Sequence, residues 1–153
     1  MEQQYDLLLV EDNASDAEMT IRALRKSNVV SRLMHVRDGA EALDFLFSEG
    51  AYAGLESQLA IKIILLDLKM SRVNGKEVLL KIKADPRTQR IPVVVLTSSR
   101  EDADIKDCYE LGANGYVVKP VVFDEFLKVI ADIGLYWLLV NSPPNAELRE
   151  PVL

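Results

Sequence analysis

Glu11 and Asp12 form an acidic pair at the end of one apolar run, Asp67 ends a second run of Ile and Leu, Thr97 closes a third, and Lys119 closes a fourth. Carboxylates gathered at one site repel, at a cost of about 3 kcal/mol per pair for a separation of roughly 5 Å and an effective dielectric near 20. A divalent cation relieves that repulsion. Hard carboxylate oxygens with no histidine or cysteine among them select Mg²⁺, with Mn²⁺ as its substitute, over Zn²⁺. An ammonium opposite the metal and a hydroxyl beside it would neutralise a tetrahedral phosphoryl group on each side, which is what phosphoryl transfer requires. Asp67, central in that set, is the natural nucleophile.

These residues lie far apart in the chain, so the fold must bring them together. Residues 5–10, 61–66, 92–96 and 115–118 are continuous in Leu, Ile, Val or Tyr, the pattern of parallel strands buried on both faces. Residues 32–36 are weaker and more polar and predict an edge strand. Between the runs lie helical faces: Ala17, Ile21 and Leu24; then Ala42, Leu43, Leu46 and Phe47; then Val78, Leu79 and Ile82. Asn13 or Ser15 caps the first helix, with Asp16 and Glu18 in its opening turn, and Asp38 with Gly39 opens the second. The last helix starts after Pro120. Five β-α alternations with short connections predict a doubly wound α/β domain, flavodoxin-like, with five parallel strands in the order 2-1-3-4-5. Ligands of such sheets sit at the carboxyl ends of the strands, at the switch point, here between strands 1 and 3. That order sets Glu11, Asp12 and Asp67 side by side and adds Thr97 and Lys119 from strands 4 and 5.

Composition narrows the class. The chain has 153 residues, 49% hydrophobic and 27% charged, the profile of one domain with a sizeable core. Eighteen basic against 24 acidic residues give a net charge of −6, and no local basic patch is visible, which argues against nucleic acid and anionic membrane as partners. The run at 133–140 is too short to span a bilayer, which takes about 20 apolar residues. The single Cys108 forms no internal disulfide, and with no leader recognised a cytoplasmic location is expected. Residues 49–60 look irregular. Residues 142–153, with Pro143, Pro144 and Pro151, are expected to be a mobile tail with no output domain behind a domain at 1–141.

The motifs resemble the CheY-like receiver domains of two-component response regulators. The likeness is carried by Glu11-Asp12, by Leu66-Asp67-Leu68-Lys69-Met70 with Gly75 eight residues past the aspartate, by Val95-Leu96-Thr97-Ser98 and by Tyr116-Val117-Val118-Lys119-Pro120. It implies that Asp67 is phosphorylated from a sensor kinase's phosphohistidine, in a receiver that catalyses its own phosphorylation and dephosphorylation without being a conventional enzyme. It also implies that Asp12, Asp67 and the Lys69 main-chain carbonyl bind Mg²⁺, with Glu11 helping through water, and that Lys119 pairs with the phosphoryl oxygens. Thr97 and Tyr116 would act as the switch that remodels the helix 4, strand 5 and helix 5 surface. The Lys119–Pro120 bond is expected to be cis. Ser71 departs from the family's usual proline, which puts the stiffness of its loop in question, and Lys69 and Ser99 occupy positions that tune hydrolysis of the acyl phosphate. The ending around Tyr136 and Trp137 is similar to the small response regulators paired with cyanobacterial phytochrome kinases, implying a phytochrome-type kinase partner and homodimerisation through the helix 5 face.

Each residue also has a plainer reading. Asp12 alone reads equally as a helix cap, Thr97 alone as a cap, and Tyr116 alone as a strand aromatic. His35 and Cys108 read as structural or packing residues, and the 133–140 run is divided between core and interface. A Mg²⁺-dependent aspartyl phosphatase is disfavoured because Lys69 stands where its second aspartate belongs. A flavin carrier is disfavoured because the loop after strand 1 is acidic rather than a phosphate cradle. A non-phosphorylated pseudo-receiver is a third alternative.

Overall fold

Strands form where the apolar runs are densest: β1 (Leu7–Val10), β2 (Leu33–Val36), β3 (Ile63–Leu66), β4 (Val93–Thr97) and β5 (Gly115–Val118). They pair in parallel in the order β2-β1-β3-β4-β5, as predicted. The computed structural model describes residues 4–27, 32–54 and 60–144. The expected tail therefore lies mostly outside the described residues, as does half of the 49–60 segment, whose first part holds a 3₁₀ turn at Gly50–Tyr52.

The runs are continuous rather than alternating because helices cover both faces of the sheet. Leu8, Val10, Ile64, Leu66, Val93 and Val95 point toward α2 (Gly39–Leu46), α3 (Gly75–Ala84) and α4 (Asp102–Glu110), where Phe45, Leu79, Ile82 and Cys108 meet them. Leu7, Leu9, Ile63, Leu65, Val94 and Leu96 point the other way, onto Ala17 and Leu24 of α1 (Ala14–Lys26) and Phe126 and Ile130 of α5 (Phe123–Leu135). β5, at the sheet edge where the predicted order puts it, is half-buried along its length rather than buried on both faces as its apolar run suggested.

Local chemistry sets the helix starts. Asn13, not Asp12 or Ser15, caps α1 by accepting from the Asp16 amide at 2.9 Å, and Asp38 and Asn74 cap α2 and α3 in the same way. Beyond Leu135 the chain continues as a π-helical turn, Tyr136–Val140. It divides the late apolar run: Ile133, Gly134 and Leu138 are buried, while Leu135, Tyr136, Leu139 and Val140 are exposed. No described helix is long and apolar enough to cross a membrane.

Two expectations change. The described residues contain no cis peptide bond, so Lys119–Pro120 is trans, the isomer favoured by about 0.5–1 kcal/mol for X–Pro bonds. And although no basic run exists in the sequence, the fold lines one groove of about 460 Å³ with Arg22, Arg25, Arg37 and His35, with Asp12 and Glu18 also on its wall.

Candidate phosphoacceptor and metal site

Four backbone hydrogen bonds assemble the site from separate strand ends. The Glu11 N–H donates to Val36 O (3.1 Å), Asp67 N–H to Val10 O (3.1 Å), Lys119 N–H to Thr97 O (2.7 Å) and Gly75 N–H to Leu68 O (2.9 Å). Carboxylate oxygens of Glu11, Asp12 and Asp67 consequently lie within 4.8 Å of one another. Glu11 and Asp67 are buried and Asp12 is exposed. Hard oxygen donors at this spacing, two of them withdrawn from water, fit a small divalent cation of the Mg²⁺ or Mn²⁺ kind.

Asp67 has its two oxygens in different roles. Oδ1 accepts from the Leu68 amide at 2.7 Å, and Oδ2 lies 3.4 Å from Lys119 Nζ. Lys119 also donates to Glu11 Oε1 at 2.5 Å and to Asp16 Oδ2 at 2.9 Å, with its side chain only 9% exposed. Burial opposes the Lys119 charge, but the hydrogen bond to Glu11 and the charges of Glu11 and Asp67 outweigh it and raise its pKa. Glu11 is pushed up to about 7, first by burial and then by its neighbour Asp67, with Lys119 pulling the other way.

Asp16 is the residue the sequence reading missed. An aspartate in the first turn of a helix is explained by the helix dipole alone, and only its position four residues after Asp12, on the helix that leaves the acidic pair, hinted at more. The capping alternative for Asp12 falls with Asn13 in that role, and the Asp12 carboxylate has no protein donor among the described residues.

The remaining residues form a second layer. Thr97 is buried at the end of β4, and its Oγ1 accepts from the Ser99 amide at 3.4 Å. Tyr116 stands half-buried on β5, opposite Val95, and its hydroxyl donates to Ser99 O at 3.0 Å. Burial raises the Tyr116 pKa. His35 Nε2 lies 2.9 Å from Glu11 O, the structural role its sequence suggested, and Cys108 is a fully buried packing residue. Lys69 and Ser71 are both exposed in the β3–α3 loop, with Met70 half-buried between them. In place of the missing proline, that loop is braced by the Gly75–Leu68 and Val73–Ser71 backbone bonds and by Arg72, in a left-handed conformation (φ 66°), which pairs with Asp38 at 3.3 Å.

A parallel five-stranded sheet carrying an acid triad, a nearly buried lysine and a buried threonine at its carboxyl edge defines a doubly wound α/β domain with a charged site at its switch point. The chain belongs to the response regulator receiver domain family, whose model matches residues 7–131. It is 38% identical over 145 residues to the probable methanogenesis regulatory protein FilR2 of Methanothrix harundinacea, covering 94% of this chain and 90% of that one. It is 37% identical over 140 residues to the response regulator Rcp1 of Synechocystis, covering 92% and 93%. The structure of the phosphorylated cyanobacterial phytochrome response regulator RcpA superposes with a TM-score of 0.86 at 37% identity, covering 94% of this chain and all of that one. The Mn²⁺-bound form of Rcp1 superposes with a TM-score of 0.84 at 35% identity, covering 92% and 99%.

Proposed function

We propose that Asp67 accepts a phosphoryl group from the phosphohistidine of a sensor kinase, of the phytochrome-associated type, in the cytoplasm. The observation that carries this reading is the division of labour at Asp67. One oxygen is fixed by the Leu68 amide at 2.7 Å, and the other, which would attack, is paired at 3.4 Å with the Lys119 ammonium that would meet the incoming phosphoryl oxygens. The Asp67 oxygen attacks phosphorus, the P–N bond breaks, its electron pair goes to the leaving imidazole, and an acyl phosphate remains. Glu11, Asp12, Asp67 and the Lys69 carbonyl would hold Mg²⁺, which supplies charge neutralisation for the transferring group. Water supplies the later hydrolysis.

Loading Asp67 would draw the Thr97 hydroxyl away from the Ser99 amide, and the Tyr116 ring would follow into the space vacated. The surface of α4, β5 and α5 would then report the change to a protein partner. Likeness to the cyanobacterial phytochrome response regulator RcpA supports the kinase class, and likeness to the Mn²⁺-bound form of Rcp1 supports the metal. The exposed face of Leu135, Tyr136, Leu139 and Val140, with Trp137 half-buried against Tyr136 in an edge-to-face pair, supports homodimerisation there.

The test is incubation with Mg²⁺ and acetyl phosphate, read by intact mass. One phosphoryl adduct is expected on the wild type and none on Asp67→Asn. An unmodified wild type, or an adduct on both proteins, overturns the proposal.

A further inference from the structure

Gly75 begins α3 in direct contact with the phosphoacceptor's own backbone: a Cβ there would sit 2.3 Å from Asp67 O and 2.6 Å from Leu68 Cα. The next residue, Lys76, reaches across to α4. Its Nζ lies 2.6 Å from Asp104 Oδ1 and 2.9 Å from Asp107 Oδ2. The other Asp104 oxygen, Oδ2, accepts from the Ser99 hydroxyl at 2.5 Å. Ser99 then uses every polar atom it has. Its amide donates to Thr97, its carbonyl accepts from Tyr116, and its hydroxyl also accepts from the Glu101 amide at 3.3 Å.

These contacts form a path outside the phosphoryl pocket, running from Asp67 through Gly75, Lys76, Asp104 and Ser99 to Thr97 and Tyr116. Asp104 is its middle link, with one oxygen bound to Lys76 of α3 and the other to Ser99 of the β4–α4 loop, and the Lys76 ammonium, followed by the Ser99 hydroxyl, holds its carboxyl below the ordinary range. A bridging carboxylate of this kind has one arrangement in which both partners are satisfied, so displacing either partner costs a charge-assisted hydrogen bond.

We infer that Lys76 and Asp104 are positioning residues that couple the start of α3, packed on the Asp67 backbone, to the β4–α4 loop, whose Ser99 holds both Thr97 of β4 and Tyr116 of β5. The coupling deepens the proposed function by giving the site a mechanical route to α4 that does not pass through the phosphoryl group. Its links join residues 28 and 5 apart in sequence, Lys76 to Asp104 and Ser99 to Asp104.

The experiment uses the unphosphorylated full chain, so it stands whether or not Asp67 accepts phosphate. Amide hydrogen exchange and amide chemical shifts are recorded for wild type, Lys76→Met, Ser99→Ala, the double variant, and Lys106→Met. The last is a control on α4, since Lys106 sits 3.9 Å from Glu110 on the solvent side. Lys76→Met is expected to speed exchange at Ser99 and Glu101 about tenfold, the scale of one lost charge-assisted hydrogen bond. Ser99→Ala is expected to shift the Leu68 and Gly75 amides, which it does not touch, and that shift should disappear in the Lys76→Met background. Asp104→Asn, which keeps the shape and loses the charge, should reproduce Lys76→Met if the methionine variant folds poorly. Purely local shifts in Ser99→Ala, additive effects in the double variant, or changes matched by Lys106→Met would overturn the coupling. In a protein that does take the adduct, the phosphoryl lifetime should change in Lys76→Met and not in Lys106→Met.

Discussion

Replacing Asp12 by Asn should have opposite effects on stability without and with a divalent cation. Of the three clustered acids, Asp12 alone faces solvent and is held by no protein donor among the described residues, whereas Glu11 and Asp67 share Lys119. At 4.8 Å two unit charges repel by about 3.5 kcal/mol at an effective dielectric of 20, and by about 0.9 kcal/mol in bulk water. Exposure puts Asp12 near the lower figure. Two such repulsions total about 2 kcal/mol, and attraction to the Lys119 ammonium offsets part of that. Asp12→Asn should therefore stabilise the ion-free protein by about 1 kcal/mol, or about 2–4 °C in Tm for a chain of this size. In Mg²⁺ at a hundredfold excess over Kd the wild type gains about 2.7 kcal/mol by mass action and the variant gains little, so the order of stability reverses. Scanning calorimetry at pH 8 in EDTA and in MgCl₂ reads both arms, since that pH lies above the value of about 7 to which Glu11 is raised. A variant that melts below the wild type in EDTA, or that gains as much from MgCl₂, refutes the electrostatic account of the site.

Two further outcomes follow from packing. Gly75→Ala should lower stability by at least about 2 kcal/mol in urea unfolding, because the atoms its methyl meets are backbone at 2.3 and 2.6 Å and cannot yield cheaply; an unchanged midpoint would contradict the close approach of α3 to Asp67. Light scattering should give a dimer mass for the wild type and a monomer mass for the double variant Tyr136→Ser, Leu139→Ser, both residues being about half or more exposed; a monomeric wild type at high concentration would exclude the face as a dimer contact.

What the sequence could show depended on the range of the interaction. β1, β3 and β4 were legible because burial on both faces leaves an unbroken apolar run, and once their order was inferred the carboxyl-edge residues Glu11, Asp12, Asp67, Thr97 and Lys119 fell together. The edge position of β5 followed from the predicted order, but its burial was misjudged, because Val117 and Val118 look the same in sequence whether they are half-buried or fully covered. Asp16 was hidden by having a sufficient local explanation. The Lys76–Asp104–Ser99 contacts had no local signature at all, since Lys76 and Asp104 lie on different helices and are ordinary surface residues in a linear reading. The π-helical turn was invisible for the opposite reason: Tyr136–Val140 is apolar on every side, which leaves no periodicity to reveal how the backbone winds.

Lys119 draws together acids from three places, the end of β1, the start of α1 and the end of β3. Its ammonium thus serves as a tethered placeholder cation. The pocket carries its own counterion on a side chain rooted at the far edge of the sheet, and the mutual repulsion of acids drawn from three elements is offset by a charge that the chain itself supplies.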